Sequence, residues 1–344
     1  MLFLSEKIDF RRDIDMKRTV RNISVFLLAL LLLVGAVSCG SVAEIKSTKE
    51  ESAVVATCGE HEVRYEELRY VVLTCKEELK ARYGEDIFAD AESAARYEDE
   101  LWERVSYYLC QSYSILDACL DKKIKPNSNA VKRDVREYVD ETAELLGGVD
   151  AYKEYLEAAY MTDRVFRLYA SIMSCQYRYF DEFAPEIEKE SYDAVLAHEG
   201  FVHTISIFVK NDAGEDLGEN RAIAEDIRAK IEGGKSLESF VGSKYNQDTS
   251  DCEYYFVTGY MDEAYETAAF ALDIDEVSGV VETRDGFYII KRLPIEAQYV
   301  ENHMDELMQI YQVAAMNRIF AEKQEALSLV LNEEGKKLSL WAME

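Results

Sequence analysis

The sequence predicts an α+β protein in which a discontinuous all-α domain encloses an inserted β-α-α-β-α-β-β module. Three observations carry this prediction. Apolar residues recur at helical spacing from about Tyr65 to Phe183, and again from about Ile295 to Asn332. Between those stretches, Phe201–Lys210 (FVHTISIFVK) is a run rich in β-branched residues, the pattern of a strand. The three prolines, Pro126, Pro185 and Pro294, each stand where the pattern changes, and the last two bracket the module.

The chain opens on an expected export signal, residues 1–38. Ile23–Val37 is an uncharged stretch of 15 residues, short of the roughly 20 needed to span a bilayer but suited to the apolar region of a signal peptide. Lys17, Arg18 and Arg21 precede it, and Ala36-Val37-Ser38-Cys39-Gly40 follows. This ending resembles a bacterial lipobox, which implies a lipid on Cys39 and a mature chain beginning there. Residues before Met16 carry mixed charge and do not belong to such a signal, so Met16-Lys17-Arg18 is the more natural start. Residues 39–52 are polar and read as a tether.

Residues 53–198 read as the N-terminal helical domain. After a short apolar strand at Ala53–Thr57, Tyr65, Leu68, Val72 and Cys75 share one helix face. A longer helix is expected from Ser93 to Leu120 with the stripe Leu101, Val105, Leu109 and Leu116. Pro126-Asn127-Ser128 breaks the chain and caps the next helix, Ala130–Leu146, which Gly147-Gly148 ends. A helical region from Val149 to Phe183 is rich in tyrosine and phenylalanine, most of which helix packing accounts for.

Residues 199–294 read as the module. The strand at Phe201–Lys210 precedes a helix bearing Ile223, Ile227 and Ile231, and Ser236 opens a second helix through Val241. A strand at Tyr254–Val257, a helix at Met261–Leu272 and two strands, Val280–Thr283 and Phe287–Leu293, complete it around an Asp285-Gly286 turn. Residues 295–344 are expected to form one helix to about Asn332. Its stripe Leu307, Ile310, Tyr311 and Ala314 needs a partner, and the N-terminal helices are the expected one.

Composition narrows the function. The formal net charge is −28, and residues 1–38 are net positive, so the remainder is more acidic still. Such a surface repels phosphate backbones and disfavours a nucleic-acid partner. The six cysteines besides Cys39 fall at irregular spacings, without a CxxC, and read mostly as buried free thiols, a disulfide pair being the alternative for an exported chain. The four histidines show neither HxxxH nor HExxH, so neither a metal nor another cofactor is expected.

Six features in order over Phe201–Leu293 resemble the parvulin-type peptidyl-prolyl cis-trans isomerase family. They are His203 in the opening strand, Gly233-Gly234-Lys235-Ser236-Leu237-Glu238-Ser239-Phe240, and Asn246-Gln247-Asp248 in place of a Ser-x-Asp. Gly259-Tyr260-Met261 with Ala268–Leu272, Glu276–Val281 and Gly286–Lys291 complete the set. With the lipobox and flanking helices, the mature chain resembles PrsA-like and SurA-like extracytoplasmic foldases. The resemblance implies a catalytic group of His203, Asp248 and Tyr288, and a proline pocket of Met261, Tyr265 and Phe270. Tyr288 stands where parvulins usually carry a second histidine, Tyr265 where they carry phenylalanine, and Thr249–Glu253 replaces a glycine-rich turn.

Two functions are compatible with these residues. One is a membrane-anchored foldase that isomerises X–Pro bonds in unfolded exported proteins. The other is a binding chaperone whose parvulin module is catalytically silent. Taken alone, His203 reads as a structural histidine, Asp248 as a loop carboxylate, and Met261 and Phe270 as core.

Overall fold

The computed structural model describes residues 42–211, 217–248, 252–283 and 285–344, so the signal segment and Cys39 lie outside the described residues. These residues divide into two compact units. The first comprises 42–182 and Ile319–Glu344, and the second comprises Phe183–Arg318.

The first unit begins with a hairpin of β1 (Val54–Cys58) and β2 (His61–Arg64). Helices α1 (Tyr65–Tyr83), α2 (Ala91–Ala94), α3 (Glu98–Asp121), α4 (Asn129–Leu146), α5 (Val149–Ala158) and α6 (Asp163–Phe183) follow. Helix α3 opens on Glu98, Asp99 and Glu100, which favour the positive end of its dipole, and buries Leu101, Val105, Leu109 and Leu116. Ser128 caps α4 by accepting from the Val131 amide at 3.3 Å, and Gly147 ends it in the left-handed region. The aromatic run packs as expected: Tyr152, Phe166, Tyr169, Tyr179 and Phe180 are buried. Tyr152 donates to Asp163 at 2.8 Å, which fixes α5 against the start of α6.

Two local expectations change here. The helical region Val149–Phe183 is broken between Ala158 and Asp163 into two helices. The final helix is also divided, into α10 (Ala297–Asn302) and α11 (Met304–Glu325), and gives way to a strand, β7 (Leu329–Leu331). β7 pairs antiparallel with β1, Cys58 opposite Leu329 and Ala56 opposite Leu331. The first unit is therefore helical with a three-stranded sheet of order β2-β1-β7, not all-α. Pairing satisfies backbone groups along both edges of β1, which a helix continued to Asn332 would leave to solvent.

The second unit holds α7 (Glu188–Ala197), β3 (Val202–Lys210), α8 (Leu217–Glu232), β4 (Glu253–Phe256), α9 (Glu263–Ala271), β5 (Val281–Glu282) and β6 (Gly286–Leu293). The four strands form an antiparallel sheet of order β4-β3-β6-β5. The expected second helix of the module is one 3-10 turn, Leu237–Phe240, and Ser236 makes no side-chain cap.

β3 is central and covered on both faces, which explains its unbroken burial from Val202 to Val209. On one face Ile205, Ile207 and Val209 join Phe287 and Ile289 against Ala224 and Ile227 of α8. On the other, Phe256 and Ile290 pack with Tyr265 and Ala269 of α9 and with Leu307, Ile310 and Ala314 of α11. The stripe of the last helix thus lies in the core of the second unit up to Ala314. Gly259 has φ +96°, and a Cβ there would stand 2.9 Å from the Ala314 carbonyl oxygen. Only glycine lets the chain pass α11 so closely at that φ.

Candidate functional site

Alternation along a strand sends Thr204, Ser206 and Phe208 of β3 to the face covered by α9. Register then sets their neighbours: Thr204 is opposite Tyr254 on β4, and Ser206 and Phe208 are opposite Ile290 and Tyr288 on β6. Three tyrosine and phenylalanine rings converge around the fully buried Tyr265. Its centroid is 5.0 Å from Tyr288, 5.7 Å from Phe256 and 6.4 Å from Tyr254, each edge to face.

The Tyr265 hydroxyl is held and neutral. Tyr265 and Thr204 share a hydrogen bond of 2.9 Å, and Ser206 lies beside the same phenol. Burial pushes the Tyr265 phenol up to about 12. Burial first, then the nearby Tyr254 and Tyr265, raises Tyr288 as well. Tyr288 stacks on Phe208 at 4.4 Å between centroids.

Asp248 is the carboxylate of the site, and the Tyr254 hydroxyl donates to it. The loop carrying it is strapped to β3 by backbone and amide bonds. Gln247 N donates to the Phe208 carbonyl at 2.8 Å, and Asn246 Oδ1 accepts from the Phe208 amide at 3.0 Å. Gln247 Oε1 accepts from the Lys210 amide at 2.7 Å. Two amide side chains thus imitate a paired strand and bring Asp248 to the edge of the ring cluster.

Met261 packs at the rim of the α9-side core, and Phe270 meets Phe256 edge to face at 5.9 Å. The Met261 loop is anchored by Glu266, whose carboxylate accepts from the backbone N–H groups of Gly259, Tyr260 and Met261 at 2.8–2.9 Å. Burial raises this carboxyl, and the three N–H groups oppose that by stabilising its charge. Asp262 caps α9 by accepting from the Ala264 amide at 2.9 Å.

Five of the six module residues singled out in the sequence therefore lie together: Asp248, Tyr288, Met261, Tyr265 and Phe270. His203 does not join them. It lies an odd number of residues from Thr204 and Ser206, so its ring turns to the other face. There it stacks on Tyr255 at 3.9 Å, donates through Nδ1 to the Pro294 carbonyl at 2.9 Å, and places Nε2 3.4 Å from Glu253. The stack continues through Tyr299 to His303. Thr204, Ser206, Tyr254 and Glu266 were not singled out. Strand parity signals the first three, whereas the contacts of Glu266 with a loop leave no periodic trace.

Such a site has one carboxylate, neutral phenols and hydroxyls, and apolar walls. It suits binding and reshaping a neutral group more than covalent attack, because no nucleophile in it is activated. Among the described residues no group of three or more His, Cys, Asp or Glu is placed to hold a metal ion.

Residues 205–293 match the family of the PPIC-type peptidyl-prolyl isomerase (rotamase) domain. Foldase protein PrsA 1 of Bacillus cereus is 34% identical over 91 residues, covering 25% of this chain and 32% of that protein. The chain thus matches about a third of that relative's length. Foldase protein PrsA of Caldanaerobacter subterraneus subsp. tengcongensis is 25% identical over 293 residues, covering 79% of this chain and 82% of that protein. The crystal structure of foldase protein PrsA from Streptococcus pneumoniae aligns at 15% identity with a TM-score of 0.33, covering 64% of this chain and 83% of that one.

Proposed function

We propose, for a chain that carries a PPIC-type parvulin domain and is similar to PrsA foldases, that it accelerates cis-trans isomerisation of X–Pro bonds in unfolded exported proteins. The observation that carries this is the cluster of Tyr265, Tyr288 and Phe256 with Asp248 at its edge. Rotation about the peptide bond meets a barrier of about 20 kcal/mol, because the planar amide is stabilised by resonance that separates charge. A twisted amide has lost that resonance and is the less polar species, so apolar walls favour it over the planar ground state. Met261, Phe270 and the tyrosine rings are the walls for the proline ring. Asp248, oriented by Tyr254, and the Tyr288 hydroxyl are the polar groups for the rotating amide. No bond is made or broken.

The first unit would hold the client. Exposed Tyr83, Tyr107 and Tyr160 offer rings that bind apolar and polar groups alike. A lipid on Cys39 would keep the protein at the outer face of the membrane, with its acidic surface turned from anionic headgroups.

The second reading, a binding chaperone without turnover, is favoured by one observation. Thr204 and Ser206, not an imidazole, face Tyr265 from β3. A coupled prolyl-isomerase assay on the chain lacking residues 1–39 separates the two. The foldase reading expects a rate above the uncatalysed one, and the chaperone reading expects none alongside suppressed aggregation of an unfolded client.

A further inference from the structure

The first unit contains sulfur chemistry that the isomerase site does not use. Cys58 ends β1 and Cys110 lies in α3, and their Sγ atoms are 3.2 Å apart, buried, and 52 positions apart in the chain. Cys119, two turns further along α3, and Cys175 of α6 are close enough for each thiol to shift the ionisation of the other, Cys119 upward and Cys175 downward. All four sulfur-bearing residues are buried. Two thiol pairs in one small helical unit, both bridging elements distant in sequence, are more than an apolar core needs from cysteine.

We propose that Cys58–Cys110 and Cys119–Cys175 are disulfide sites, closed while the chain folds outside the cytoplasm. This rests on the export reading above, because only an oxidising compartment keeps such bonds. A bonded pair has its sulfurs about 2.05 Å apart, so Cys58 and Cys110 need an approach of about 1 Å. Each bond forms by exchange with a disulfide donor, a dithiol-disulfide oxidoreductase or a small-molecule disulfide. One cysteine thiolate attacks a donor sulfur, breaking the donor S–S bond and releasing one donor thiolate. The partner thiolate attacks the protein sulfur of the mixed disulfide and releases the second. The cysteines are oxidised by two electrons, the donor is reduced to two thiols, and the two protons pass to it.

The same burial decides when this happens. Burial and the neighbouring Cys110 raise the Cys58 thiol, so in the folded unit it is a poor nucleophile out of reach of a donor. Exchange belongs to the folding chain. Once closed, the bonds tie β1 to α3 and α3 to α6 and remove loop freedom from the unfolded state.

The test is disulfide mapping of the full-length protein taken from its host's cell envelope, alkylated with N-ethylmaleimide under denaturing conditions and digested without reductant. The expected result is linked peptides joining Cys58 to Cys110 and Cys119 to Cys175, with a Tm about 5–15 °C above that of the reduced protein. An exported protein whose four thiols all carry maleimide, or pair otherwise, would overturn the proposal. A parallel arm refolds the purified chain in a glutathione redox buffer. If the host protein is found in the cytosol but refolding closes both pairs, the pairing stands and the export reading fails. If refolding closes neither, the pairing is wrong wherever the protein resides.

Discussion

At the scale of single residues, parity decides what the site contains. A histidine in a β-branched run is easy to see in the sequence, but whether it shares a face with Tyr288 depends on pairing between β3 and β6. The structure gives that face to Thr204 and Ser206, and gives His203 a carbonyl and a ring to hold. His203→Ala is therefore expected to destabilise the second unit by about 2–3 kcal/mol while leaving turnover per folded molecule within twofold. Denaturant melts paired with kcat check both halves. Glu67 is a second residue the sequence could not rank. It is fully buried, accepts from the Tyr113 hydroxyl at 2.8 Å, and burial lifts its carboxyl to about 7. The folded state therefore binds this proton more tightly than the unfolded state does. Stability falls as pH rises from about 4.5 to about 7 and levels off above, a total on the order of 3 kcal/mol. Glu67→Gln keeps the acceptor and removes the titration, so its stability relative to the parent should be higher at pH 8 than at pH 5. Equal differences at the two values would show that Glu67 is not the titrating group.

At the scale of elements, locally signalled structure was legible and long-range pairing was not. The stripe of α3, the Ser128 cap of α4 and the strand β3 follow from periodicity and turn chemistry that a few neighbouring residues carry. β7 has no such signal. Leu329-Val330-Leu331 continues a helical pattern, and its partner, β1, lies at the other end of the chain. The return is tight: Asn332 N donates to the Val55 carbonyl at 3.0 Å, and a Cβ on Gly335 would stand 2.0 Å from that same oxygen. Gly335→Ala is expected to destabilise the first unit by about 2–4 kcal/mol, read as a lower denaturation midpoint. An unchanged midpoint would mean that β7 is not held against β1. The 3-10 turn at Leu237–Phe240 shows the opposite limit, a segment whose composition suits a helix but whose length allows one turn.

At the scale of the whole chain, the order of elements announced a β-rich module between helical stretches, and most of the candidate site was readable because it lies on two short segments, Met261–Phe270 and Gly286–Tyr288. We propose that the second unit is the catalytic module extended by α7, α10 and most of α11. Leu307, Ile310 and Ala314 complete its core, so a fragment ending at Pro294 would lack part of it. The parts that escaped the sequence, Tyr254 donating to Asp248 and Glu266 gripping the Met261 loop, join segments whose proximity only the folded sheet creates.

We propose that Asp248 and Tyr288 act on a twisted prolyl amide at the ring cluster. Prolyl-isomerase turnover of the chain lacking residues 1–39, beside Asp248→Ala and Tyr288→Phe, tests it most directly. Measurable acceleration is expected in the parent, with a fall of about tenfold or more in kcat/KM for each variant and the fold intact by circular dichroism. Parent activity that both variants retain in full would contradict it, as would a folded parent with no activity at all.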